Sequence, residues 1–306
     1  MHGVVNFLKP PGMTSHDAVA LLRRTTGVKR IGHTGTLDPA AAGVLPMCIG
    51  QATRLVEYLQ EGVKEYVAEL TFGHETDTCD ALGKVIATPG AQGITRAGLL
   101  AALPQFLGAI EQMPPIYSAI KRDGKKLYEL ARAGETEDSL DLQPRAVTIA
   151  QLSIERFVDA TTDAPPRAIL RTQCSGGTYI RSLVRDIGRA MGSGATMTFL
   201  VRTRNGRFPI AEAVTVEDLG NNFVESLIPM RQVLPWCVDE VIENPEAARR
   251  LAHGQIVKLE IAAPMHSGRI LVRDAEWTLA AIAVARDDAQ EGYKAEKVLD
   301  LATAID

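Results

Sequence analysis

The stretch Tyr66-Val67-Ala68-Glu69-Leu70-Thr71-Phe72 alternates between residues that favour a core and residues that tolerate solvent. This period of two predicts a β-strand with one buried face. Outward from it, similar patterns predict strands at Gly3–Lys9, Val44–Ile49, Ala146–Phe157, Arg167–Cys174 and Met197–Arg202, and helices from about Ala52, Ala97, Thr178 and Pro245. Because strands and helices mix without a regular strand–helix–strand rhythm, we expect an α+β protein and not a doubly wound parallel sheet.

Two local signals bound the first predicted helix. Thr14 and Asp17 have the spacing of a capping box, in which each side chain bonds the backbone of the other residue. The apolar-periodic run that follows reaches Leu22 and stops at Gly27. The sequence therefore predicts a short helix directly after Pro10-Pro11-Gly12.

Length and composition are those of a globular protein with one large domain, or a large and a small one. The 306 residues are 46% hydrophobic and 23% charged. Composition shifts after Pro235-Trp236, so we expect domains at 1–235 and 236–306. Lys9 and Pro10 interrupt the first apolar run too early for a signal peptide, and no uncharged apolar run approaches the roughly 18–20 residues of a membrane span. We expect a cytoplasmic protein without membrane contact.

The spacing of cysteines and histidines indicates neither a metal site nor a disulfide framework. The four cysteines include no C-x-x-C pair, and the six histidines include no H-x-x-x-H pair. The sequence also has no Walker A loop and no dinucleotide fingerprint. We therefore expect an activity that needs no metal and no cofactor.

Charge is distributed unevenly along the chain. The formal net charge is −4, but from Asp274 onward eight acidic residues face three basic ones, which leaves residues 1–273 at +1. Basic residues cluster in three places: Lys121, Arg122, Lys125 and Lys126; Arg181, Arg185 and Arg189; and Arg202, Arg204 and Arg207. A single cluster is more often a solvated face, whereas three clusters beside glycine-rich segments are compatible with a nucleic-acid-binding surface.

One loop has the features of a site for a single carboxylate. In Gly32-His33-Thr34-Gly35-Thr36-Leu37-Asp38-Pro39-Ala40-Ala41-Ala42-Gly43, the proline keeps Asp38 out of the α region. Gly35 and Gly43 permit backbone conformations or close approaches that side chains would forbid. An aspartate with a structural role in a turn is the alternative, and the local pattern alone favours it.

This loop resembles the catalytic-aspartate motif of the TruB-type tRNA pseudouridine synthases. Further blocks resemble the same family in the same order, over roughly Gly3–Phe208: Lys9–Asp17, Lys64–Tyr66 with Phe72-Gly73, Thr76–Gly83, Pro114–Lys121 with Leu127–Arg132, and Cys174–Leu183. The resemblance implies the pseudouridine synthase fold, with a mixed, largely antiparallel sheet and flanking helices. It also implies an RNA-contacting insertion at about 111–145 and a small β-rich PUA-like domain over 236–306, whose best signature is Leu251-Ala252-His253-Gly254-Gln255.

The resemblance also implies a role for individual residues. Asp38 would be the catalytic carboxylate, Arg181 its ion-pair partner, and Tyr66 the ring that stacks on the target base. His33 would fill the space that the base leaves in the RNA, and Leu200 and Tyr179 would belong to the base pocket. RNA contacts would come from Lys9, Lys121, Lys125, Lys126 and Arg202. In one departure from the family pattern, Gly176 stands where a lysine is common.

The activity implied is the isomerisation of uridine to pseudouridine in the T-loop of tRNA, at position 55. The reaction breaks the N1–C1′ bond and joins C5 to C1′, so it needs no cofactor, and the nucleotide must flip out of the RNA. We expect tRNA as the partner, with no guide RNA and no obligate protein partner. Whether the carboxylate attacks C1′, adds to the base or abstracts a ribose proton stays open. The alternatives are a non-catalytic tRNA-binding or folding factor, and an aspartate-nucleophile phosphotransferase with a second carboxylate and magnesium.

Overall fold

The structure is a computed structural model that describes residues 1–118, 120–122, 124–136, 139–140, 142–234, 238–259, 269–274, 279–285 and 292–301. The strands are β1 (Gly3–Lys9), β2 (Ile31–His33), β3 (Ala42–Ile49), β4 (Lys64–Phe72), β5 (Glu75–Thr76), β6 (Val85–Ala87), β7 (Gly108–Gln112), β8 (Lys121–Arg122), β9 (Lys125–Lys126), β10 (Arg145–Val158), β11 (Arg167–Cys174), β12 (Ala195–Asn205), β13 (Phe208–Pro209), β14 (Val238–Val241), β15 (Arg269–Arg273), β16 (Leu279–Ala285) and β17 (Tyr293–Asp300). The helices are α1 (Ser15–Thr26), α2 (Val56–Gln60), α3 (Arg96–Ala102), α4 (Leu127–Arg132), α5 (Ile180–Ala190), α6 (Val216–Asn222), α7 (Met230–Val233) and α8 (Pro245–Ala252), with 3₁₀ turns at Gly50–Leu55, Leu103–Phe106 and Ile210–Glu212.

The main sheet is mixed and largely antiparallel. Its strand order is β1-β3-β12-β4-β11-β10-β7, with β2 paired to β3 and β13 to β12. The β3–β12 pair is parallel, and the other pairs along this path are antiparallel. The expectation of an α+β protein with such a sheet is therefore confirmed. The strand that the alternation at 66–72 predicts, β4, lies near the middle of the sheet.

One face of β4 forms the centre of the main core. Its Tyr66, Ala68, Leu70 and Phe72 side chains are buried. They belong to one apolar cluster with residues of the two helices on this face: Ala18, Val19 and Leu22 of α1, and Ile180, Leu183, Val184 and Ile187 of α5. The period-two pattern of the strand and the apolar faces of the helices thus bury one another.

Capping fixes the ends of α1 as the sequence predicts. Thr14 is the N-cap, and it exchanges both capping-box hydrogen bonds with Asp17. At the other end Gly27 has φ +72°, a left-handed conformation that suits glycine, and its N–H bonds the Arg23 carbonyl. Because the cap fixes where α1 begins, the segment Lys9–Thr14 meets the Asp38 loop in a defined position.

A second sheet, with strand order β14-β15-β16-β17, follows the main one. Its Leu271, Ala280, Ile282 and Leu299 share an apolar cluster with Leu55, Tyr58 and Leu59, which precede β4. Lys297 also pairs with Glu57 at 2.6 Å. The β-rich C-terminal region is thus confirmed, while the predicted boundary at 235 lies outside the described residues. Of the predicted PUA-like signature, Leu251 is buried in a cluster shared by α8 and this sheet.

The predicted insertion at about 111–145 runs from the end of β7 to the start of β10. It carries the β8–β9 hairpin and α4, and it has a small core of its own formed by Ile116, Leu127 and Leu140.

Among the described residues, no helix has both the length and the apolar character needed to cross a bilayer.

Candidate active site

Asp38 lies in a loop between β2 and β3, in residues 34–41, which form neither strand nor helix. Its side chain is 37% exposed. The end of the loop depends on Gly43, which has φ +116° and lies against Arg202 of β12. A Cβ at this glycine would lie 2.3 Å from the Arg202 carbonyl oxygen, so only glycine allows the two strands to approach this closely.

Arg181 lies in the first turn of α5 and is buried, with 4% exposure. Its Nε is 2.9 Å from Oδ2 of Asp38, and its Nη2 donates to Oδ1 at 3.3 Å. The ion pair that the resemblance implies is therefore present in the structure. A planar guanidinium that faces both carboxylate oxygens attracts the carboxylate and also fixes its orientation.

The two terminal nitrogens of Arg181 also donate to backbone carbonyls, while its buried Nε lies close to Asp38 without a hydrogen bond of good geometry. Nη1 donates to the Thr78 carbonyl at 3.0 Å, and Nη2 donates to the Tyr117 carbonyl at 2.9 Å. Asp80 places its Oδ2 3.6 Å from Nη1. The guanidinium thus lies between two carboxylates and two backbone oxygens, so it cannot shift without breaking several contacts.

Asp80 also contacts this arginine, although no local sequence pattern points to a role for it. Its Oδ1 accepts from the Thr78 hydroxyl at 2.7 Å and from the Leu82 N–H at 3.0 Å. Cys79, between Thr78 and Asp80, has φ +59°, which is uncommon for a residue with a side chain. This turn directs the Thr78 carbonyl and the Asp80 carboxylate toward the same arginine. The available sequence signal for Asp80 was its position in Thr76–Gly83, one of the blocks that resemble the family.

Tyr66 is buried in β4, with 7% exposure, and is paired in register with Arg202. Burial raises the pKa of its phenol, and the nearby charge of Asp38 acts in the same direction while Arg202 opposes both. The phenol therefore stays protonated at neutral pH. The structure thus places the predicted stacking residue near Asp38 and next to the strand that carries Leu200.

A pocket of about 100 Å³ opens beside Asp38. Asp38 and Asp80 are its charged lining residues, and its other described lining residues are Ala40, Ala41, Ala81, Leu82, Met197, Thr198, Phe199 and Leu200. Leu200, predicted to belong to the base pocket, is one of these lining residues. Leu82 and Phe199, which the sequence analysis did not single out, are 73% and 46% exposed, so they extend the apolar wall outward.

Four other predicted site residues are not among the described residues that line this pocket: Tyr66, Arg181, Tyr179 and His33. Tyr179 is the half-buried residue before α5. His33 ends β2, and its Nδ1 accepts from the Gly35 N–H at 3.3 Å. Burial lowers the pKa of His33, with Arg202 adding to the effect, so the ring is neutral at pH 7.

Lys9 and Arg202, predicted as RNA contacts, are instead buried inside the protein, with 0% and 1% exposure. The Lys9 ammonium donates to the Pro10 and Met13 carbonyls at 2.9 and 2.6 Å. Arg202 donates to the carbonyls of Val44 and Gly35 at 2.7 and 3.0 Å and lies 3.5 Å from that of Thr36. The physical reason is that carbonyls of irregular backbone around Asp38 need buried donors. As placed, neither cation reaches a phosphate.

The hairpin β8–β9 carries the remaining predicted RNA contacts. Lys125 is exposed. Lys126 is half-buried, donates to the Tyr128 hydroxyl at 3.2 Å and lies 5.3 Å from the centre of its ring. The side chain of Lys121 is outside the described part of the structure. The hairpin thus presents at least one exposed basic side chain, that of Lys125, at the surface.

The assembled features are those of an enzyme site: a carboxylate paired with a buried arginine and open to a small, largely apolar pocket. Residues 23–180 match the model of the N-terminal domain of the TruB family pseudouridylate synthases. Residues 181–241 match the model of the C-terminal domain of tRNA pseudouridylate synthase B. The chain belongs to the TruB family of pseudouridylate synthases.

Individual relatives agree with the family models. A Symbiobacterium thermophilum protein named tRNA pseudouridine synthase B is 47% identical over 252 residues, 82% of each chain. A Moorella thermoacetica protein of the same name is 42% identical over 308 residues, which cover 97% of this chain and 99% of that one. A solved H/ACA RNP bound to a substrate RNA containing 2′-deoxyuridine has a TM-score of 0.69 at 25% identity and covers 97% of this chain and 84% of its own.

Proposed function

We propose that this chain isomerises uridine to pseudouridine in the T-loop of tRNA, at position 55, with Asp38 as the essential carboxylate. The observation that carries the proposal is the contact between Asp38 and buried Arg181, at 2.9 Å, at the edge of the pocket. The activity is that named for the relatives of the chain. The position of the target uridine follows from the family resemblance.

The chemistry requires an ionised carboxylate next to the sugar of an extruded nucleotide. The N1–C1′ bond breaks, the base turns, C5 bonds to C1′, the proton on C5 leaves and N1 takes up a proton from solvent, so the reaction is a redox-neutral isomerisation. A uridine within a folded RNA arm must first flip out, which costs a few kcal/mol. Arg181 faces both oxygens of Asp38 and so holds the carboxylate in one orientation at the edge of the pocket.

We expect a flat base to contact the pocket wall and, after a local adjustment, the tyrosine on the neighbouring strand. The apolar side of Leu200 and the buried ring of Tyr66 lie on adjacent strands, β12 and β4. An aromatic face stacked on a base contributes roughly 1–3 kcal/mol, which offsets part of the cost of flipping. Leu82 and Phe199 offer further apolar surface to the RNA next to the extruded base.

We infer that RNA contacts come from the insertion and from the C-terminal sheet. Lys125 on the β8–β9 hairpin supplies exposed positive charge. We assign residues 1–235 to the catalytic domain and 236–306 to a PUA-like domain that makes a second contact with the tRNA. The solved neighbour in the H/ACA RNP has its own RNA components, whereas we expect this chain to act alone, without a guide RNA, in the cytoplasm.

Tritium release tests the proposal directly. The purified chain is incubated with an unmodified tRNA transcript that carries tritium at uridine C5, in the presence of EDTA. Wild-type protein should release one tritium per tRNA, and replacing the T-loop uridine should abolish release. Asp38→Asn keeps the size of the side chain but removes its charge, so release should be lost while tRNA binding persists.

The outcomes separate the proposal from its alternatives. Substantial release by Asp38→Asn would remove Asp38 from its role. Binding without release by the wild type would favour the tRNA-folding factor. No tritium release, together with a magnesium-dependent phosphoryl transfer, would favour the phosphotransferase, for which Asp80 would be the second carboxylate.

A further inference from the structure

The Asp38–Arg181 ion pair is carried by a loop on one side and by the first turn of a helix on the other. Asp38 lies in residues 34–41, outside strands and helices. Arg181 lies in the first turn of α5, where the leading N–H groups of a helix have no intrahelical acceptor. The positions of both side chains must therefore be fixed by other groups.

Ser15 supports the Asp38 loop. It is the first residue of α1 and is 4% exposed. Its Oγ accepts from the Leu37 N–H at 2.9 Å and donates to the Leu37 carbonyl at 3.1 Å. One hydroxyl thus satisfies both backbone groups of the residue immediately before Asp38, as a neighbouring strand would do in a sheet.

Gln112 makes the same kind of contact on the other side of the ion pair. It ends β7 and is 2% exposed. Its Oε1 accepts from the Tyr179 N–H at 2.7 Å, and its Nε2 donates to the Tyr179 carbonyl at 3.0 Å. A single amide therefore satisfies both backbone groups of the residue two positions before Arg181.

We infer that Ser15 and Gln112 are positioning residues that set Asp38 against Arg181. This inference rests on the proposed roles of those two residues. Neither Ser15 nor Gln112 is among the described residues that line the pocket, so each acts through the backbone it holds. A displacement of about 1 Å at a reacting group can cost about 10²-fold in rate, and each two-point contact prevents such a displacement.

A purely structural role predicts a different pattern of effects. If the two side chains only stabilise the fold, their loss lowers the melting temperature and leaves the chemical step intact in the folded fraction. If they position the ion pair, the loss appears in the single-turnover rate constant at saturating RNA, while the Kd for RNA is unchanged. The rate constant and the Kd therefore distinguish positioning from stability.

The experiment compares Ser15→Ala and Gln112→Met with two matched controls. Ser193→Ala removes an equally buried hydroxyl, which bonds the Gly194 carbonyl at 2.8 Å. Gln173→Met removes an amide that bonds Glu65 at 2.9 Å. We expect the two test variants to lose about 10- to 100-fold in single-turnover rate, with RNA affinity within about twofold of the wild type, and the controls to keep the wild-type rate.

Two further measurements complete the test. In an Arg181→Lys background the loss from Gln112→Met should shrink, because the group that Gln112 positions is already altered. Should Ser15→Ala fail to fold, Ser15→Thr and Ser15→Val carry the test, since they differ only in the hydroxyl, and the threonine variant should be the faster one.

Equal rates in test and control variants overturn the inference, as does a loss confined to RNA affinity. Failure of the proposed function is a separate result. Asp38→Asn would then keep its turnover. An inactive Asp38→Asn together with unaffected Ser15→Ala and Gln112→Met would leave the function in place and refute only the positioning roles.

Discussion

Replacing Arg181 by methionine measures how far the site depends on one buried cation. The guanidinium donates to the Thr78 and Tyr117 carbonyls at 3.0 and 2.9 Å, and it faces the carboxylates of Asp38 and Asp80. Methionine fills much of the same volume but has no donor. The variant therefore leaves two carbonyls and two carboxylates without this cation.

The cost follows from the exposure of each group. A buried acceptor that loses its donor costs about 1–3 kcal/mol, and a buried ion pair that loses one partner costs about 3–5 kcal/mol. Asp38 is 37% exposed, so water compensates much of its loss, whereas Asp80 is only 13% exposed. We expect the free energy of unfolding to fall by about 4 kcal/mol, which corresponds to a melting temperature roughly 8 °C lower at about 2 °C per kcal/mol.

Thermal melting by circular dichroism and tritium release at saturating tRNA measure the two effects. Turnover should fall by about 10²- to 10³-fold, the range for removing a preorganised electrostatic group from an active site. Arg185→Met is the control, because Arg185 is equally buried on α5 and pairs with Asp186, not with Asp38. Melting within about 2 °C of the wild type, together with turnover above about a tenth of it, would refute the reasoning.

Three further substitutions test other features. Gly43→Ala should destabilise the fold by about 3 kcal/mol or more, because the new Cβ would lie 2.3 Å from the Arg202 backbone. Gly12→Ala is the control in urea unfolding, because Gly12 is also at positive φ but has open space around it. Its free energy of unfolding should fall by less. Burial lowers the pKa of Lys9 from 10.5 to about 8. The unfolded chain therefore binds more protons between these values, and this lysine adds stability as pH rises from about 8 to 10.5. Lys9→Met should remove this increase in stability with pH. If the melting temperatures of the wild type and the variant changed equally between pH 8 and 10.5, the prediction would be contradicted. Lys125→Ala should weaken tRNA binding a few-fold and reduce the salt dependence of log Kd by about one unit of slope or less, with single-turnover rate unchanged; an unchanged salt slope would show that this lysine does not contact phosphate.

Local patterns were enough to predict the main elements of the fold. The alternation at 66–72 predicts β4, and the spacing of Thr14 and Asp17 predicts the capped start of α1. The polar segment His74–Gly83 includes the short strand β5, which pairs with β6 and which no sequence pattern predicts. Two-residue strands have no period to detect, because their existence depends on the partner strand.

The site was predictable only where the family blocks contain it. Asp38 and Arg181 are 143 positions apart, and no local rule joins them, yet each lies in a recognisable block. The contacts of Ser15 with Leu37 and of Gln112 with Tyr179 span 22 and 67 positions and leave no local signal. They depend on backbone groups that only the folded chain brings within reach.

Lys9 shows why a surface role was wrongly expected for some cations. Lysine is almost never fully buried without partners, so a lysine beside a proline-rich turn is expected to face solvent. In the folded chain the carbonyls of Pro10 and Met13 converge on its ammonium. The sequence contains the donor, but the convergence of acceptors is a property of the tertiary structure.

The apolar cluster between the two sheets has a practical consequence for dissecting this protein. Leu55 and Leu59 are almost completely covered, and part of their cover is Leu271, Ile282 and Leu299 of the C-terminal sheet. Truncating the chain near residue 235 would expose this apolar surface to solvent, and the N-terminal fragment would tend to self-associate. The proposed contribution of the C-terminal sheet to tRNA affinity should therefore be tested with substitutions on its solvent side, since a truncated chain would report on its own aggregation.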